Sequence, residues 1–191
     1  MATINVAKRR IDTKIVYYGP GLSGKTTNLV NVHSRMPDEL RGPMRSIDTE
    51  QERTLFFDFI PVEPVEVGGW AIRFHLYTVP GQRDYVRTRR AILGGADGVV
   101  FVADAEPEQA DPNRESLAEL HEHLAHYGRD DDSLPIVLQI NKTDLAGGRP
   151  VAEVNDDLNA AGWPMFPAMA IRGIGVAETL GAVAKLVART L

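Results

Sequence analysis

Residues 19–26 have the types and spacing of a phosphate-binding loop. They read Gly-Pro-Gly-Leu-Ser-Gly-Lys-Thr and match G-x-x-x-x-G-K-[ST] between an apolar run and a helical pattern. Glycines let backbone N–H groups wrap closely around phosphate oxygens, and the following helix N-terminus adds a potential that favours anions. Lys25 is predicted to reach the β- and γ-phosphates, and the Thr26 hydroxyl is predicted to bind Mg²⁺. The predicted nucleotide contacts are Gly19, Gly21, Leu22, Ser23, Gly24, Lys25, Thr26 and Thr27.

A second motif indicates which base is bound. Asn141-Lys-Thr-Asp144 directly follows the apolar run 136–140, and ligands bind at the carboxyl ends of strands in open α/β sheets. Asp144, as an ionised carboxylate, can accept hydrogen bonds from the ring N–H and the exocyclic amine of guanine, a donor pair that adenine lacks. Asn141 is predicted to brace the loop, and the stem of Lys142 to cover the base. Together the two motifs predict GTP or GDP rather than ATP.

The motifs require a sheet that brings them to one edge. Apolar runs at 14–18, 98–103 and 136–140 alternate with helical patterns, which predicts an α/β fold with a mostly parallel sheet and helices on both faces. Residues 70–79 alternate at period two, and the run 55–60 is the predicted partner in an antiparallel hairpin. Helical patterns begin near Thr26 and cover residues 117–127, 151–161 and 176–187.

Two segments, 37–54 and 80–95, have weak patterns and many polar residues, and we expect long functional loops there. Three histidines on the helix near 120 are predicted to form a solvated face: His121, His123 and His126.

The composition is typical of a single globular domain over residues 1–191. Lys plus Arg is 21 and Asp plus Glu is 26, so the net charge of −5 argues against a wide nucleic-acid-binding face. There are no cysteines, which excludes disulfides and thiolate metal sites. No apolar run reaches the roughly 18 residues of a membrane helix, and neither end of the chain carries a secretion or lipid-attachment signal. We therefore expect a cytoplasmic protein without a membrane anchor.

The three motifs GPGLSGKT, PGQ at 80–82 and NKTD, in this order, resemble those of a Ras-like small GTPase. The stretches 14–29, 52–60 and 73–82 are similar to the bacterial cell-polarity GTPases of the MglA type, and the resemblance covers essentially the whole chain. It implies a Ras-like fold with an added N-terminal strand within 3–12, a GTP/GDP cycle with Mg²⁺, and a Roadblock-domain partner that helps to activate hydrolysis. Recruitment to a cell pole would then depend on partners.

The resemblance also implies catalytic residues. Gln82 is expected to orient the attacking water, as a Gln after such a turn does in related enzymes. Thr54 is expected to close over Mg²⁺ and the γ-phosphate, and Arg53 to act as an arginine finger. Because neighbours on an extended chain point to opposite sides, we hypothesise that the loop carrying Arg53 and Thr54 rearranges between states.

This chain departs from the Ras pattern at three places. Thr78 stands where Ras-like proteins carry an Asp near Mg²⁺, which predicts weaker metal binding. Met169-Ala170-Ile171 replaces S-A-K, and the Ala170 N–H is predicted to reach the guanine carbonyl. Residues 83–90 form either a solvated helix face or an altered partner surface, and one of their arginines could alternatively lie near the γ-phosphate. These arginines are Arg83, Arg87, Arg89 and Arg90.

Three functions therefore stay open at this point. The first is a switch that hydrolyses GTP slowly. The second is a GTP-loaded scaffold that scarcely hydrolyses, since the Mg²⁺ and base motifs are altered. The third is a P-loop kinase, against which the NKTD and PGQ motifs argue.

Overall fold

The computed structural model describes residues 2–48, 53–59, 66–130 and 132–191, which form a sheet flanked by helices. The strands are β1 (Thr3–Asn5), β2 (Arg10–Tyr18), β3 (Arg45–Asp48), β4 (Arg53–Phe59), β5 (Glu66–Val67), β6 (Trp70–Thr78), β7 (Gly98–Asp104), β8 (Ile136–Asn141) and β9 (Met165–Pro167). The helices are α1 (Lys25–Arg35), α2 (Val86–Leu93), α3 (Ala110–His126), α4 (Val151–Leu158) and α5 (Val176–Arg189).

The main path through the sheet runs β3-β4-β6-β2-β7-β8-β9. Strands β6, β2, β7, β8 and β9 pair in parallel, so the ends of β2, β7 and β8 meet at one edge. Strand β4 pairs antiparallel with β6, as the hairpin pattern predicted, and the short strands β1 and β5 add antiparallel pairs with β2 and β6. The predicted fold class, an α/β domain with a mostly parallel sheet, is confirmed.

Both faces of the sheet are covered by helices, because successive side chains of each buried strand point to opposite faces. Ile15 of β2 packs in the core shared with α1 and α5, where Leu29 and Val183 are buried. Val16, its neighbour, packs in the core shared with α2, α3 and α4, where Leu120 is buried. The continuous apolar runs of the sequence are therefore strands buried on both faces.

Two segments predicted as long loops contain regular structure. Within 37–54, β3 pairs with β4, and the pairs include Asp48 with Arg53 and Ile47 with Thr54. A strand of four residues is too short to show a period, and its pairing with β4 is what stabilises it. Within 80–95, residues 86–93 form α2, whose pattern is weak because Arg89 occupies one of its buried positions.

The N-terminal segment also differs from the expected single strand within 3–12. Strand β1 covers only Thr3–Asn5, a 3₁₀ turn follows at Val6–Lys8, and β2 already begins at Arg10. Strand β9, with three residues, had no signal in the sequence. Among the helices in the described part of the chain, none has the length and apolar character needed to cross a bilayer.

Candidate functional site

The phosphate loop connects β2 to α1 and lies against the ends of two neighbouring strands. Gly19 has φ +142°, and a Cβ there would lie 2.3 Å from the Val102 carbonyl oxygen. Gly24 has φ +99°, and a Cβ there would lie 2.2 Å from Nδ2 of Asn141. Only glycine satisfies both the backbone angle and the space at these positions. The loop therefore leads directly into the N-terminus of α1, where unpaired N–H groups attract anions.

Lys25 is the first residue of α1, and only 5% of its surface is exposed. Its Nζ donates to the carbonyl of Gly19 over 2.9 Å and to that of Pro20 over 2.5 Å. These bonds hold the ammonium group inside the curve of the loop. Carbonyl dipoles offset the desolvation cost of a buried charge only in part. The position agrees with the predicted phosphate contact, which stays a prediction.

Two further loop residues have unusual environments. Leu22 has φ +62° and is 85% exposed, so its side chain points away from the core while its backbone adopts a conformation costing about 1–2 kcal/mol. Ser23 is fully buried, and its Oγ has no hydrogen-bond partner within the described ranges. Strained backbone and an unpaired buried hydroxyl are features that cluster at ligand sites.

The Asn141 side chain joins the phosphate loop to both segments that are predicted to bind the base. Its Nδ2 donates to the Ser23 carbonyl over 2.8 Å, and its Oδ1 accepts from the Ala170 N–H over 2.9 Å. This geometry agrees with the predicted bracing role of Asn141. The Ala170 N–H, predicted to meet the guanine carbonyl, is already used by Asn141, so that contact requires the bond to be shared or exchanged.

Lys142 has φ +64° and places its Nζ 2.5 Å from a carboxylate oxygen of Asp104 and 2.5 Å from one of Glu106. Burial alone would lower the pKa of Lys142, but the hydrogen bonds to these two carboxylates outweigh burial, so the pKa of Lys142 is raised. The Asp144 carboxylate has its Oδ2 3.7 Å from Nε of Arg172. The predicted base-binding side chains thus lie at the ends of β7 and β8.

The loop 80–82 lies directly on the phosphate loop. A Cβ on Gly81 would lie 2.4 Å from Cα of Gly21, so the two backbones are in direct contact. Gln82 follows with an extended backbone and a half-buried side chain. Gln82 therefore stands next to the segment predicted to hold the phosphates, as its predicted catalytic role requires.

Two predicted catalytic residues, Arg53 and Thr54, begin β4. Their side chains lie outside the part of the chain that the structure describes, so their roles stay predictions. Thr78 is fully buried at the end of β6, where it pairs with Tyr17 of β2.

The arginine-rich segment 83–90 is not a uniformly solvated helix face. Arg87 is exposed, whereas Arg89 is 4% exposed and donates from Nε and Nη2 to the carboxylate of Glu119 over 2.5 and 2.7 Å. For Arg89, a solvated face and a partner surface are both wrong, because its charge is neutralised inside the fold.

The prediction of a solvated histidine face is also wrong for His123, which is fully buried with its Nδ1 3.1 Å from the Tyr18 hydroxyl. His121 and His126 are exposed as expected. The sequence carried one signal: His123 follows the buried Leu120 by three residues, on the apolar side of α3.

Comparison with known proteins identifies the family of the chain. No protein-family model matches the chain. It is 50% identical over 187 residues to the mutual gliding-motility protein MglA of Myxococcus xanthus, a match that covers 98% of this chain and 96% of that protein. It is 29% identical over 140 residues to an elongation factor 4 of Lactiplantibacillus plantarum, covering 71% of this chain but 21% of that protein. Because identity with the first relative extends over nearly the full length of both, the chain belongs to the MglA family of Ras-like small GTPases.

Proposed function

We propose that this GTPase is a GTP-controlled switch in bacterial cell polarity or motility, which hydrolyses GTP slowly alone and faster with a Roadblock-domain partner. The name of the Myxococcus xanthus relative supports the motility role. The observation that carries the switch mechanism is the contact of Gly81 with Gly21, because it joins the catalytic loop to the phosphate loop. We place the protein in the cytoplasm, with recruitment to a pole through partners.

In this proposal, GTP lies along the edge formed by the phosphate loop and the ends of β7 and β8. The loop N–H groups and the Lys25 ammonium neutralise the phosphates. Asp144 accepts hydrogen bonds from the two guanine donors. Asn141 holds its own loop at a fixed distance from the phosphate loop through its bond to the Ser23 carbonyl. The remaining contacts are those predicted for Gly19, Gly21, Leu22, Ser23, Gly24, Thr26, Thr27, Lys142 and Ala170.

The residues present fit Mg²⁺ that arrives with the nucleotide. Across the described residues, no group of three or more His, Asp or Glu side chains is arranged to hold a cation. Mg²⁺ in nucleotide sites uses one or two protein oxygens and completes its shell with phosphates and water. The Thr26 hydroxyl suits this role and, when the start of β4 rearranges, so does that of Thr54. The ion would neutralise charge on the phosphate oxygens.

Hydrolysis requires a positioned water and a compensating positive charge. Gln82 orients the water toward the γ-phosphate, and Arg53 offsets the negative charge that develops on the transferred group. Arg53 and Thr54 are adjacent in β4 and paired with Asp48 and Ile47 of β3. Since neighbours in a strand point to opposite faces, both reach the nucleotide only if the start of β4 rearranges.

A GTP-loaded scaffold with negligible hydrolysis is the second candidate. It is favoured by Thr78, whose buried hydroxyl stands where Ras-like proteins carry a carboxylate near the metal. A hydroxyl contributes no negative charge there, so it holds a divalent cation less strongly than a carboxylate does.

Single-turnover hydrolysis of GTP with Mg²⁺ tests the proposal. The wild type, Gln82→Ala and Arg53→Ala are compared with and without a Roadblock-domain protein from the same organism. His126→Ala, an exposed change at the end of α3, is the control. Slow turnover that the partner accelerates, and that both active-site changes reduce, supports the switch. Tight GTP binding with equal, negligible rates in all variants supports the scaffold.

A further inference from the structure

Arg89 connects α2 to the backbone of the catalytic loop. Its guanidinium donates from Nη1 to the carbonyl of Pro80 over 3.1 Å and to the carbonyl of Gln82. The same group uses Nε and Nη2 for the bidentate pair with Glu119 of α3. One buried side chain therefore holds the carbonyls on both sides of Gly81, the residue that lies against the phosphate loop.

Glu119 connects this arrangement to the start of the phosphate loop. Its Oε1 accepts from the Tyr18 hydroxyl over 2.6 Å, and Tyr18 is the last residue of β2, directly before Gly19. Because the single hydroxyl hydrogen of Tyr18 goes to Glu119, the contact with His123 requires a donating Nδ1–H on the imidazole. Glu119 is thus held by groups from β2 and α2 while His123 orients the tyrosine.

The charges in this cluster are balanced by specific bonds. Burial alone would raise the pKa of Glu119, but the hydrogen bonds from Arg89 and Tyr18 outweigh it and leave that pKa lowered. Burial alone would lower the pKa of Arg89, but the hydrogen bond to Glu119 outweighs burial, so the pKa of Arg89 is raised. Both groups are charged at neutral pH, so the pair is an ion pair with a fixed geometry.

We propose that Arg89 is a positioning residue for GTP hydrolysis, which holds the Pro80 and Gln82 carbonyls in place and is itself anchored by Glu119. This inference rests on the proposed role of Gln82, since a loop that orients water must be held to a fraction of an ångström. A buried ion pair contributes little net stability compared with apolar packing, so stability alone gives no strong reason for one here.

The geometry requires arginine rather than any cation. A guanidinium presents five N–H donors in a rigid plane, so that Nε and Nη2 bind the carboxylate while Nη1 points away from it to the two carbonyls. A lysine ammonium carries its three donors on one atom and cannot span both sets. Arg89→Lys therefore keeps the charge beside Glu119 and removes the bridge, while Arg87→Lys on the exposed side of α2 is the matched control.

The test is a double-mutant cycle on the full chain. Single-turnover hydrolysis and GTP affinity are measured for the wild type, Arg89→Lys, Gln82→Ala and the double variant. Amide hydrogen exchange at Tyr85, whose N–H donates to the Gln82 carbonyl over 3.3 Å, reports the loop directly. If Arg89→Lys does not fold, Glu119→Gln, which weakens the same anchor, takes its place.

We expect Arg89→Lys to slow hydrolysis by about ten- to a hundredfold with GTP affinity nearly unchanged, and to speed exchange at Tyr85. In the Gln82→Ala background the same change should alter hydrolysis by less than about twofold, because coupled residues are not additive. Where Gln82→Ala itself slows hydrolysis, an equal further loss from Arg89→Lys in both backgrounds overturns the inference, and unchanged Tyr85 exchange overturns it in every case. If Gln82→Ala alone hydrolyses GTP at the wild-type rate, the proposed role of Gln82 fails; slower hydrolysis with faster Tyr85 exchange in Arg89→Lys then still supports loop positioning.

Discussion

Asn141 donates from Nδ2 to the Ser23 carbonyl over 2.8 Å, a bond between residues 118 positions apart in the chain. The same side chain accepts from the Ala170 N–H, so one amide joins the phosphate loop to the two segments proposed to bind the base. These bonds fix the distance between the phosphate loop and those segments. We expect the selection of guanine proposed for Asp144 to depend also on this arrangement.

Replacing Asn141 with Ala should weaken GTP binding by about 1–3 kcal/mol, because the Ser23 carbonyl loses its partner and the phosphate loop is no longer held at a fixed distance from residues 141–144. Titration of a fluorescent GTP analogue measures the loss. Asp156→Ala, at an exposed position of α4, serves as the control. An Asn141→Ala protein that binds GTP as tightly as the wild type would contradict the bracing role.

Asp144→Asn should weaken GTP binding by about 1–3 kcal/mol, because the amide cannot accept both guanine hydrogen bonds as a carboxylate does. ATP binding should change much less, since adenine does not present that donor pair. Competition of GTP and ATP against the labelled analogue gives both affinities. If the ratio of the two affinities stays at the wild-type value, Asp144 does not select the base.

Gly81→Ala should slow GTP hydrolysis, because the new methyl group would lie 2.4 Å from Cα of Gly21 and must displace the catalytic loop. The matched control is Gly181→Ala within α5, where a Cβ meets nothing within 4 Å. That change should stabilise the fold by about 0.5–1 kcal/mol, the helix preference of Ala over Gly, and leave hydrolysis unchanged. Single-turnover assays and thermal melting measure the two effects, and equal turnover in both variants would contradict the loop contact.

His123 should make the fold less stable as the solution becomes acidic. Burial lowers the pKa of His123 below its usual value near 6.5, and nearby Arg90 and Arg89 add to this although Glu119 opposes it. The unfolded chain then binds this proton more readily than the folded chain, so the free energy of unfolding falls as pH drops below about 6.5 toward the folded pKa.

Urea unfolding at several pH values between about 7 and 5 checks this expectation. His123→Gln should reduce the slope of unfolding free energy against pH in that range, whereas His126→Gln, at an exposed position, should leave the slope unchanged. A slope that is the same in wild type and His123→Gln would rule out His123 as its source.

Much of the fold follows from short-range patterns in the sequence. The apolar run before Gly19 and the helix after Gly24 enclose the phosphate loop, whose predicted contacts come from one continuous stretch of backbone. The order of the phosphate loop, PGQ and NKTD indicates a GTPase before any tertiary contact is known. The function of such a motif can be predicted from sequence because the groups that bind the ligand lie within a few neighbouring residues.

The tertiary structure determines those features that depend on contacts between residues distant in the chain. Strand β3 exists through its pairing with β4, and the Ala170 N–H is taken by a side chain 29 positions away. Arginine is usually a surface residue, and Arg89 is buried only because the fold places Glu119, 30 positions later in the chain, beside it. Burial of a charge depends on which opposite charge the fold brings within hydrogen-bond distance, and neither residue type nor helical period specifies that partner.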